Sequence, residues 1–398
     1  MNIKTISELS DIAGKYILLR DDFNVQITDG RVVNIFRIEQ SLPTIRALKE
    51  MGARIAIVAH LGRPDGKRNP EYSLAPVAFA LSELLGEPVP LISDCIGEPV
   101  ADARQGMQNG DVVLLENVRF HPGEEQNDPE FAAALAAGFD IFVNDAFAAA
   151  HRAHASVAGV TKFLPAYAGE LLADEIRYLT QAVRNPKRPL VGLISGAKIK
   201  SKIGIIKAFG KMCDHVICAG GIGTGMLAAM GAKNLAMDAD NLEKYDNNVV
   251  LEIMREFGDK IILPLDKGVG PKWAKDAPRT DKMMADILPT DVPMDEGPMS
   301  VAEYERVISG AKTLVWNGTV GMAEWPPVWS AGTFALARYI AQRTRSGELE
   351  SIVGGGDTIA SLEATGTEKD VTYASTGGGA FLEFIEGKVL PGIAALSE

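Results

Sequence analysis

Short apolar runs, rich in β-branched residues, alternate along the chain with longer stretches in which apolar residues recur every three or four positions. The short runs predict strands and the longer stretches predict helices. In the first half, the predicted strands are Tyr16–Leu19, Arg54–Ala59, Val112–Leu115 and Ile141–Val143. The predicted helices between them are Ile38–Met51, Ser73–Leu85 and Asp128–Ala137, the last opened by an Asp-Pro start signal.

The second half repeats this plan without a visible repeat of sequence. Its predicted strands are Leu190–Ile194, His215–Cys218, Ile261–Leu263, Thr313–Val315 and Ser351–Val353. Its predicted helices are Lys200–Phe209, Asn247–Phe257, Val301–Ile308, Thr333–Gln342 and Thr358–Glu363. Strand–helix alternation is typical of a parallel sheet covered by helices on both faces. Because 398 residues exceed one ordinary core, we expect an α/β protein of two such domains.

The stretch between the two halves, Tyr167–Val183, has the periodicity of one long amphipathic helix. The segment Arg184–Pro189 follows it and contains two prolines, which interrupt helices. A helix with such a connector is a candidate hinge between domains.

Composition narrows the class of protein. Hydrophobic residues make up 46% and charged residues 23% of the chain, as in globular proteins. The net charge of −12 argues against general binding to nucleic acid or to anionic membranes. The three cysteines form no even disulfide set and show no metal-binding spacing, which favours a reducing compartment. With no leader pattern and no apolar run of membrane-spanning length, we expect a cytoplasmic protein.

Positively charged side chains collect where the predicted strands of the first half end. The loops are Arg20–Asn24, His60–Pro64, Glu116–Phe120 and Asn144–Ser156, and Arg37 lies a little beyond the first. Because ligands of parallel α/β sheets bind beyond the carboxyl ends of the strands, we expect these loops to converge. Arginine binds phosphate or carboxylate through two parallel hydrogen bonds, so the pattern predicts an anion site. Asp22 and Asn24 would suit recognition of a hydroxyl there, or would serve as turn residues.

The glycine-rich stretch Ser351–Thr358 is the clearest phosphate signal of the second half. Glycines let the backbone approach a phosphate, and a helix N-terminus favours negative charge. Asp357 is placed to hold a cation on that phosphate, and Thr358 to cap the helix or to donate to an oxygen. A tight strand-to-helix turn without any ligand would have the same pattern.

Three further segments of the second half have nucleotide character. Lys198 and Lys202 are four residues apart and are predicted on one helical face near an N-terminus, where a bound anion would offset the unfavourable dipole. Asn317 and Glu324 follow a strand and would grip a ribose or close a turn. Ser375–Gly379 adds another glycine turn before a helix.

Other nucleotide motifs fit less well. Cys218–Gly225 resembles a dinucleotide fingerprint but lacks its last glycine, which leaves a nicotinamide-dependent oxidoreductase as an alternative. The sequence contains no GxxxxGK[ST] loop, no set of protein-kinase motifs, no Ser-His-Asp elbow and no HExxH zinc motif.

In this order, the motifs resemble those of the phosphoglycerate kinase family. They are Leu18–Asn24, His60–Pro64, Glu116–Phe120, Asn144–Phe147 with His151–Ser156, Gly196–Lys198, Trp316–Gly318, Gly354–Thr358 and Ser375–Ala380. The resemblance implies two Rossmann-like domains with parallel sheets covered by helices, joined by a hinge helix, with the C-terminal tail packing back on the N-terminal domain. It implies a phosphoglycerate-binding domain over 1–170 plus about 380–398, an interdomain helix and connector over 171–188, and a nucleotide-binding domain over 189–379.

The resemblance also implies the reaction. Members of the family transfer a phosphoryl group reversibly from 1,3-bisphosphoglycerate to MgADP, giving 3-phosphoglycerate and MgATP, directly and in line after domain closure. The expected cofactor is Mg²⁺, and the expected partners are these substrates, with no nucleic acid and no membrane. A monomer is the expectation of the family.

By the same resemblance, ten residues bind the phosphoglycerate. They are Asp22, Phe23, Asn24, Arg37, His60, Leu61, Gly62, Arg63, Arg119 and Arg152. The three arginines Arg63, Arg119 and Arg152 are expected to hold the triose phosphate, with His60 beside them. Asp22 and Asn24 are expected to recognise the glycerate portion.

The nucleotide residues are implied in the same way. They are Gly196, Ala197, Lys198, Lys202, Gly220, Gly221, Asn317, Glu324, Gly354, Gly355, Gly356, Asp357 and Thr358. Asp357 is the expected Mg²⁺ ligand. The catalytic set consists of Arg37, Lys198, Gly355 and Gly378, with Arg37 and Lys198 expected to face the transferring phosphoryl group from opposite domains.

This assignment agrees with the chemistry of an acyl phosphate. Its carboxylate leaving group needs no general base, so catalysis rests on positioning and on neutralising charge on the phosphoryl oxygens. The histidines are then binding or structural groups. A catalytically silent protein on the same fold is the other alternative, but its mark would be the loss of Arg37, Lys198 or Asp357, and all three are present.

The sequence departs from the usual family pattern at several positions. Asp21 stands where valine is usual, and Gln26 where proline is usual. Thr319–Val320 replaces Pro-Met, and Ala219–Ile222 replaces Gly-Gly-Gly-Met. Thr372–Tyr373 replaces a Ser-His pair. None of these changes removes an expected phosphate ligand or the metal carboxylate.

Overall fold

The structure is a computed structural model that describes residues 3–232 and 247–397. The chain divides into two compact units: unit 1 is Met1–Arg177 with Lys388–Glu398, and unit 2 is Tyr178–Gly387. The domain boundaries inferred from the sequence, and the hinge between them, stay predictions.

Unit 1 is built on a parallel sheet. Its strands are β1 (Tyr16–Arg20), β2 (Ile27–Thr28), β3 (Arg31–Val32), β4 (Arg54–Val58), β5 (Leu91–Ile92), β6 (Val112–Leu115), β7 (Ile141–Asn144) and β8 (Ala166–Ala168). Strands β2 and β3 form a short antiparallel hairpin, and the other six form one sheet in the order β5-β6-β4-β1-β7-β8. The helices are α1 (Phe36–Glu50), α2 (Ala75–Leu85), α3 (Glu98–Gly106) and α4 (Pro129–Ala136), and α5 (Glu170–Arg184) leads out of the unit.

Both faces of this sheet are covered, because successive side chains of β1 enter different cores. Ile17 and Leu19 belong to one buried cluster, and Leu18 belongs to the other. This period of two follows from the pleat of a strand. The middles of the strands are therefore apolar runs, and polar residues stand at the strand ends or just beyond them.

Unit 2 has the same plan with a second, smaller sheet. Its strands are β9 (Leu190–Ile194), β10 (His215–Cys218), β11 (Ile261–Ile262), β12 (Asp266–Gly270), β13 (Thr280–Met283), β14 (Val292–Glu296), β15 (Thr313–Asn317), β16 (Glu350–Gly354) and β17 (Tyr373–Ser375). The parallel sheet has the order β11-β10-β9-β15-β16-β17, and β13-β12-β14 form an antiparallel sheet. The helices are α6 (Ile203–Met212), α7 (Gly220–Ala229), α8 (Asn247–Phe257), α9 (Pro298–Ser309), α10 (Ala331–Arg345), α11 (Gly356–Thr365) and α12 (Gly379–Ile385).

The last helix, α13 (Pro391–Ala394), belongs to unit 1. The Gly392 N–H donates to the Ala150 carbonyl at 2.9 Å, and a side chain at Gly392 would come within 2.7 Å of Val157. Glycine at this position lets the tail lie directly against the backbone of the first unit.

The predicted α/β class, with two parallel sheets covered by helices, is confirmed. The predicted helix start at Asp128 is also correct, since its side chain accepts from the Phe131 N–H at 2.8 Å. Among the described residues, no helix is both long and apolar enough to cross a membrane.

One prediction of local structure was wrong, and one sheet was missed. Tyr167 was placed at the start of the long helix, but it lies in β8, which pairs with β7, and the helix begins at Glu170. The antiparallel sheet of unit 2 was not predicted at all. Its strand β12 is fully buried but reads Asp-Lys-Gly-Val-Gly, so it lacks the apolar pattern of a buried strand.

Candidate active site

The first polar cluster of unit 1 lies where β1 ends. Arg20 is the last residue of β1 and is buried. The Arg20 Nε donates to Ser156 Oγ at 2.8 Å, and the Arg20 Nη2 lies 3.2 Å from His60 Nδ1. Asp22 is buried and forms an ion pair with Arg37 of α1. Burial works to raise the pKa of Asp22, but Arg37, His60 and Arg20 outweigh it and lower that pKa below its usual value. Asp22 is therefore a carboxylate, as hydroxyl recognition requires.

Positive charge is in excess around His60. Burial lowers the pKa of His60 well below its usual value, and Arg20, Arg119 and Arg152 lower it further against the opposing effect of Asp22. Burial and the same three arginines, with His151, lower the pKa of His154 to about 4. Both imidazoles are neutral at physiological pH. Three arginines that act on the same two histidines form one cationic cluster, which fits an anion site.

Arg119 and Arg152 bring positive charge to this cluster from two loops. The short turn Val118–Phe120 carries Arg119, whose Nη1 donates to the Gly62 carbonyl at 2.7 Å. Asn117 caps that turn by accepting from the Arg119 N–H at 3.1 Å. Burial lowers the pKa of Arg119, and the positive charge of Arg152 lowers it further. The two guanidinium groups are therefore close to each other.

The other predicted substrate residues contribute in different ways. Asn24 is exposed, and its Oδ1 accepts from the Gly62 N–H at 2.9 Å, which joins the loops after β1 and β4. Arg63 is exposed in the same loop as Gly62. The side chains of Phe23 and Leu61 are buried in the core, so only their main-chain atoms could contact a ligand.

Two supporting residues were missed by sequence reasoning. Glu124 is fully buried, and its two carboxylate oxygens accept from the Ser156 N–H at 2.8 Å and from Ser156 Oγ at 2.6 Å. The same Ser156 hydroxyl accepts from Arg20, so Glu124 and Ser156 fix this guanidinium beneath the cluster. The sequence carries little signal for Glu124, because it is the first of two adjacent glutamates in a loop, a pattern typical of a solvated surface.

In unit 2, one hydrogen-bonded network links three loops at the carboxyl ends of β9, β15 and β16. Lys202 Nζ donates to Asn317 Oδ1 at 2.8 Å, and Asn317 Nδ2 donates to the Gly354 carbonyl at 2.8 Å. The Gly318 N–H donates to the buried Thr358 hydroxyl at 2.9 Å. Burial lowers the pKa of Lys202, as expected for a partly buried ammonium group that a negatively charged ligand would stabilise.

The glycines of this edge leave their backbone accessible. Gly355 and Gly378 have φ values of +104° and +52°, which residues with a side chain rarely adopt. A Cβ at Gly356 or Gly378 would meet no atom within 4 Å, so the space beside these residues is open. Gly356 and Gly379 begin α11 and α12, and their turns therefore present helix N-termini to that space.

A second set of glycines packs two loops together. A Cβ at Gly221 would lie 2.7 Å from the Ala197 carbonyl oxygen, and the Ile222 N–H donates to the Gly196 carbonyl at 3.0 Å. The run from Gly220 lies inside α7, where a side chain at Gly223 would lie 2.2 Å from the Cys218 carbonyl oxygen. These glycines therefore serve close backbone packing, which accounts for them without a dinucleotide.

One geometric prediction about the lysines was wrong. Lys198 lies in the turn after β9, the segment Lys200–Lys202 is a 3₁₀ turn, and α6 begins only at Ile203. Lys198 and Lys202 therefore do not share a face of one α-helix. Lys198 is exposed, whereas Lys202 is directed to Asn317.

Asp357 fits the predicted role of a magnesium ligand. Its carboxylate is exposed in the first turn of α11, next to the open space at Gly356. Mg²⁺ is commonly held by one or two carboxylates together with substrate phosphates. Glu324, predicted for the ribose, is also exposed, in the loop after β15.

Elsewhere in the described part of the chain, Asp94, Cys95 and His121 bring three possible ligand atoms within 4.8 Å of one another. Asp94 Oδ1 already accepts from the Cys95 N–H and lies 2.7 Å from His121 Nε2. Hydrogen bonding accounts for this group, which lies in unit 1 and not in the unit of Asp357.

The fold and these residues define an α/β protein with an arginine-rich cluster at one parallel sheet and glycine-rich turns at another. The family model for phosphoglycerate kinase matches residues 6–388. The chain therefore belongs to the phosphoglycerate kinase family, whose known role is phosphoryl transfer in glycolysis, and membership implies kinase activity between ATP and 3-phosphoglycerate.

Individual relatives agree over the full length. The chain is 44% identical to the phosphoglycerate kinase of Chelativorans sp. (strain BNC1) over 397 residues, covering 99% of each chain. It is 44% identical to that of Sinorhizobium medicae (strain WSM419) over 401 residues, covering 100% of each. The structure of phosphoglycerate kinase from Coxiella burnetii superposes with a TM-score of 0.84 at 38% identity, covering 100% of this chain and 99% of that one. The enzyme from Pyrococcus horikoshii OT3 superposes with a TM-score of 0.89 at 29% identity, covering 99% and 98%.

Proposed function

We propose that this protein transfers a phosphoryl group directly and in line between 1,3-bisphosphoglycerate and MgADP, reversibly, giving 3-phosphoglycerate and MgATP. The observation that carries the proposal is the cationic cluster of unit 1. Burial and three arginines of this cluster keep His60 and the partly buried His154 neutral, and positive charge concentrated in this way is stabilised by a bound anion.

The residues of unit 1 take the phosphoglycerate. Arg63, Arg119 and Arg152 bind its phosphate, and guanidinium groups suit this because their planar fork matches phosphate oxygens. Asp22 and Asn24 accept from the glycerate hydroxyl. Asp22 also forms an ion pair with Arg37 and keeps its guanidinium group in position. Arg37 then stabilises negative charge on the transferring phosphoryl group.

The residues of unit 2 take the nucleotide. The network from Lys202 through Asn317 to Gly354 holds the three phosphate loops in one arrangement before any ligand arrives. Main-chain N–H groups at Gly355, Gly356 and Gly378 donate to phosphate oxygens. Lys198 neutralises the charge that develops on the phosphoryl group.

The chemistry needs no proton carrier. The leaving group is a carboxylate of low basicity, so the catalytic task is to align the reacting atoms and to neutralise charge on the phosphoryl oxygens. The neutrality of His60 and His154 agrees with this, because neither is placed to gain and lose a proton at physiological pH. Mg²⁺, held by Asp357, supplies charge neutralisation on the nucleotide phosphates when it is bound.

Transfer requires that the residues of the two units meet around one phosphoryl group. We propose that the units close on each other when both substrates are bound, which would also exclude water from the acyl phosphate. We propose a monomer, on the expectation of the family. The three buried, free cysteines support a cytoplasmic location, where thiols stay reduced.

A coupled assay with 3-phosphoglycerate and MgATP tests this function directly. Turnover that requires both substrates is expected, and a folded protein without turnover would refute the proposal. Titration with NAD and with ADP, followed by calorimetry, separates the oxidoreductase alternative. Heat of binding is expected with ADP and not with NAD. Binding of NAD without binding of ADP would favour the nicotinamide-dependent oxidoreductase.

A further inference from the structure

A buried ion pair in unit 2 lies beside the nucleotide loops but contains none of their residues. Lys267 of β12 and Glu296 of β14 are register partners in the antiparallel sheet. Their side chains are 3% and 0% exposed, and Lys267 Nζ lies 2.7 Å from Glu296 Oε1. Stability does not explain such a pair, because a buried ion pair rarely stabilises a fold more than apolar residues of the same volume.

Both members of the pair contact the main chain of Gly220. The Gly220 N–H donates to Glu296 Oε1 at 2.7 Å, and Lys267 Nζ donates to the Gly220 carbonyl at 3.1 Å. Gly220 is the first residue of α7, where the N–H groups have no partner within the helix. The ion pair thus fixes the donor and the acceptor of one residue at once.

Gly220 in turn controls the loop that follows β9. Its φ is +61°, and a Cβ there would lie 2.4 Å from Ser195 Oγ, so this close approach requires glycine. The next two residues, Gly221 and Ile222, pack against Ala197 and hydrogen bond to Gly196. A shift of Gly220 would therefore move the segment that leads into Lys198.

We propose that Lys267 and Glu296 are positioning residues for nucleotide binding, because their ion pair sets Gly220 and, through Gly221 and Ile222, the Gly196–Ala197 loop. Neither side chain would touch the nucleotide. The inference rests on the proposed function in that these loops are taken to bind ADP or ATP.

The test separates positioning from stability by replacing the whole pair. Lys267→Met/Glu296→Met removes both charges at similar volume and leaves the Gly220 N–H without its acceptor. Its melting temperature is expected to stay near that of the wild type, because removing the buried charges favours the fold while the unpaired Gly220 N–H disfavours it. Its Kd for MgADP by calorimetry and its KM for MgATP are expected to rise about tenfold or more, with the KM for 3-phosphoglycerate unchanged.

A conservative variant and a matched control complete the series. Lys267→Met/Glu296→Gln keeps an acceptor for the Gly220 N–H and is expected to recover most of the affinity for MgADP. Lys282→Met breaks the Lys282–Asp291 pair of the same sheet, which bonds to neither Gly220 nor Gly196, and is expected to leave the Kd within about twofold. Wild-type affinity in the Met/Met variant, or an equal loss in the Lys282 control, would overturn the proposal.

A second measurement covers failure of the Met/Met variant to fold. In the ligand-free wild-type protein, hydrogen exchange at the Gly220 and Ile222 amides is expected to be slow, because the loop is set before the nucleotide arrives. Exchange as fast as in an exposed loop would contradict the positioning role. Calorimetry with MgADP does not depend on turnover, so a wild-type protein that binds ADP but lacks kinase activity would refute the proposed function alone.

Discussion

Asp21 and Asp145 occupy neighbouring positions in the unit 1 sheet, each directly after a strand, and Asp145 acts electrostatically on the Asp21 carboxyl. Strands β1 and β7 are parallel with Arg20 opposite Asn144, and the Asp145 N–H donates to the Arg20 carbonyl at 2.8 Å. Asp21 is 1% exposed and Asp145 is 0% exposed. Within the described ranges, neither Asp21 Oδ2 nor Asp145 Oδ2 has a hydrogen-bond partner. Two buried carboxyl groups in this arrangement are expected to share a proton.

This pair predicts a stability that falls as the pH rises. Burial raises the pKa of Asp21 well above its usual value, and Asp145 raises it further. Burial raises the pKa of Asp145 to about 7, although hydrogen bonds with the Thr44 hydroxyl and the Leu172 N–H lower it. The unfolded chain releases this proton above about pH 4, whereas the folded protein keeps it until about pH 7. The contribution to the free energy of unfolding is therefore fully present below about pH 4 and is lost as the pH rises through about 7.

We expect Asp21→Asn to raise the free energy of unfolding at pH 8 by at least about 1 kcal/mol and to have a smaller effect at pH 5. Asparagine removes one ionisable carboxyl and offers an N–H to Asp145. Urea denaturation at the two pH values measures the difference. Asp102→Asn, at an exposed position of α3, is the control and is expected to change stability equally at both. An equal change with Asp21→Asn would contradict the shared proton.

The exposed lysine after β9 is expected to act on the transition state. Lys198→Ala should lower kcat by about a hundredfold or more and change the Kd of MgADP much less, because the lysine neutralises charge that develops during transfer. Lys200→Ala is the matched control, since Lys200 is exposed two residues further along the same segment. A kcat within about tenfold of the wild type would show that Lys198 does not hold the phosphoryl group.

A histidine reports on the anion site. Without ligand, the pKa of His154 is about 4, because burial, Arg119 and Arg152 disfavour its charged form. A bound phosphate would offset the arginine charge, so 3-phosphoglycerate is expected to raise this pKa. NMR titration of the imidazole measures it, with exposed His215 of unit 2 as a reference that should not move. An unchanged pKa for His154 at saturating ligand would place the phosphate elsewhere.

Domain closure makes a prediction for scattering in solution. The radius of gyration is expected to fall only when 3-phosphoglycerate and a nucleotide are both present, because each unit holds the residues for one substrate. Small-angle scattering with neither ligand, each ligand and both ligands provides the comparison. Compaction with the nucleotide alone would contradict closure driven by both substrates.

Much of the fold could be read from the sequence because the strands of a parallel sheet covered on both faces are mostly apolar. Val112–Leu115, Leu190–Ile194 and His215–Cys218 were predicted with the bounds that the structure has. The helix Asn247–Phe257 was also predicted with these bounds. In contrast, Tyr167 fits a helical pattern as well as a strand, and only its pairing with Val143 of β7 decides between them.

The candidate site has a local signal in the sequence for a similar reason. Arginines and glycines just after strands predict anion binding in each half of the chain, and the assignment of a ligand to each half stays a prediction. Charge state is not local: that His60 and His154 are neutral depends on their burial and on arginines brought together from different loops. Lys267 and Glu296 give no signal at all, since their burial together depends on a strand register between segments about thirty residues apart. The sequence determined which residues could bind phosphate; the tertiary structure decided which charges meet, because burial and neighbours set the pKa and the position of each group.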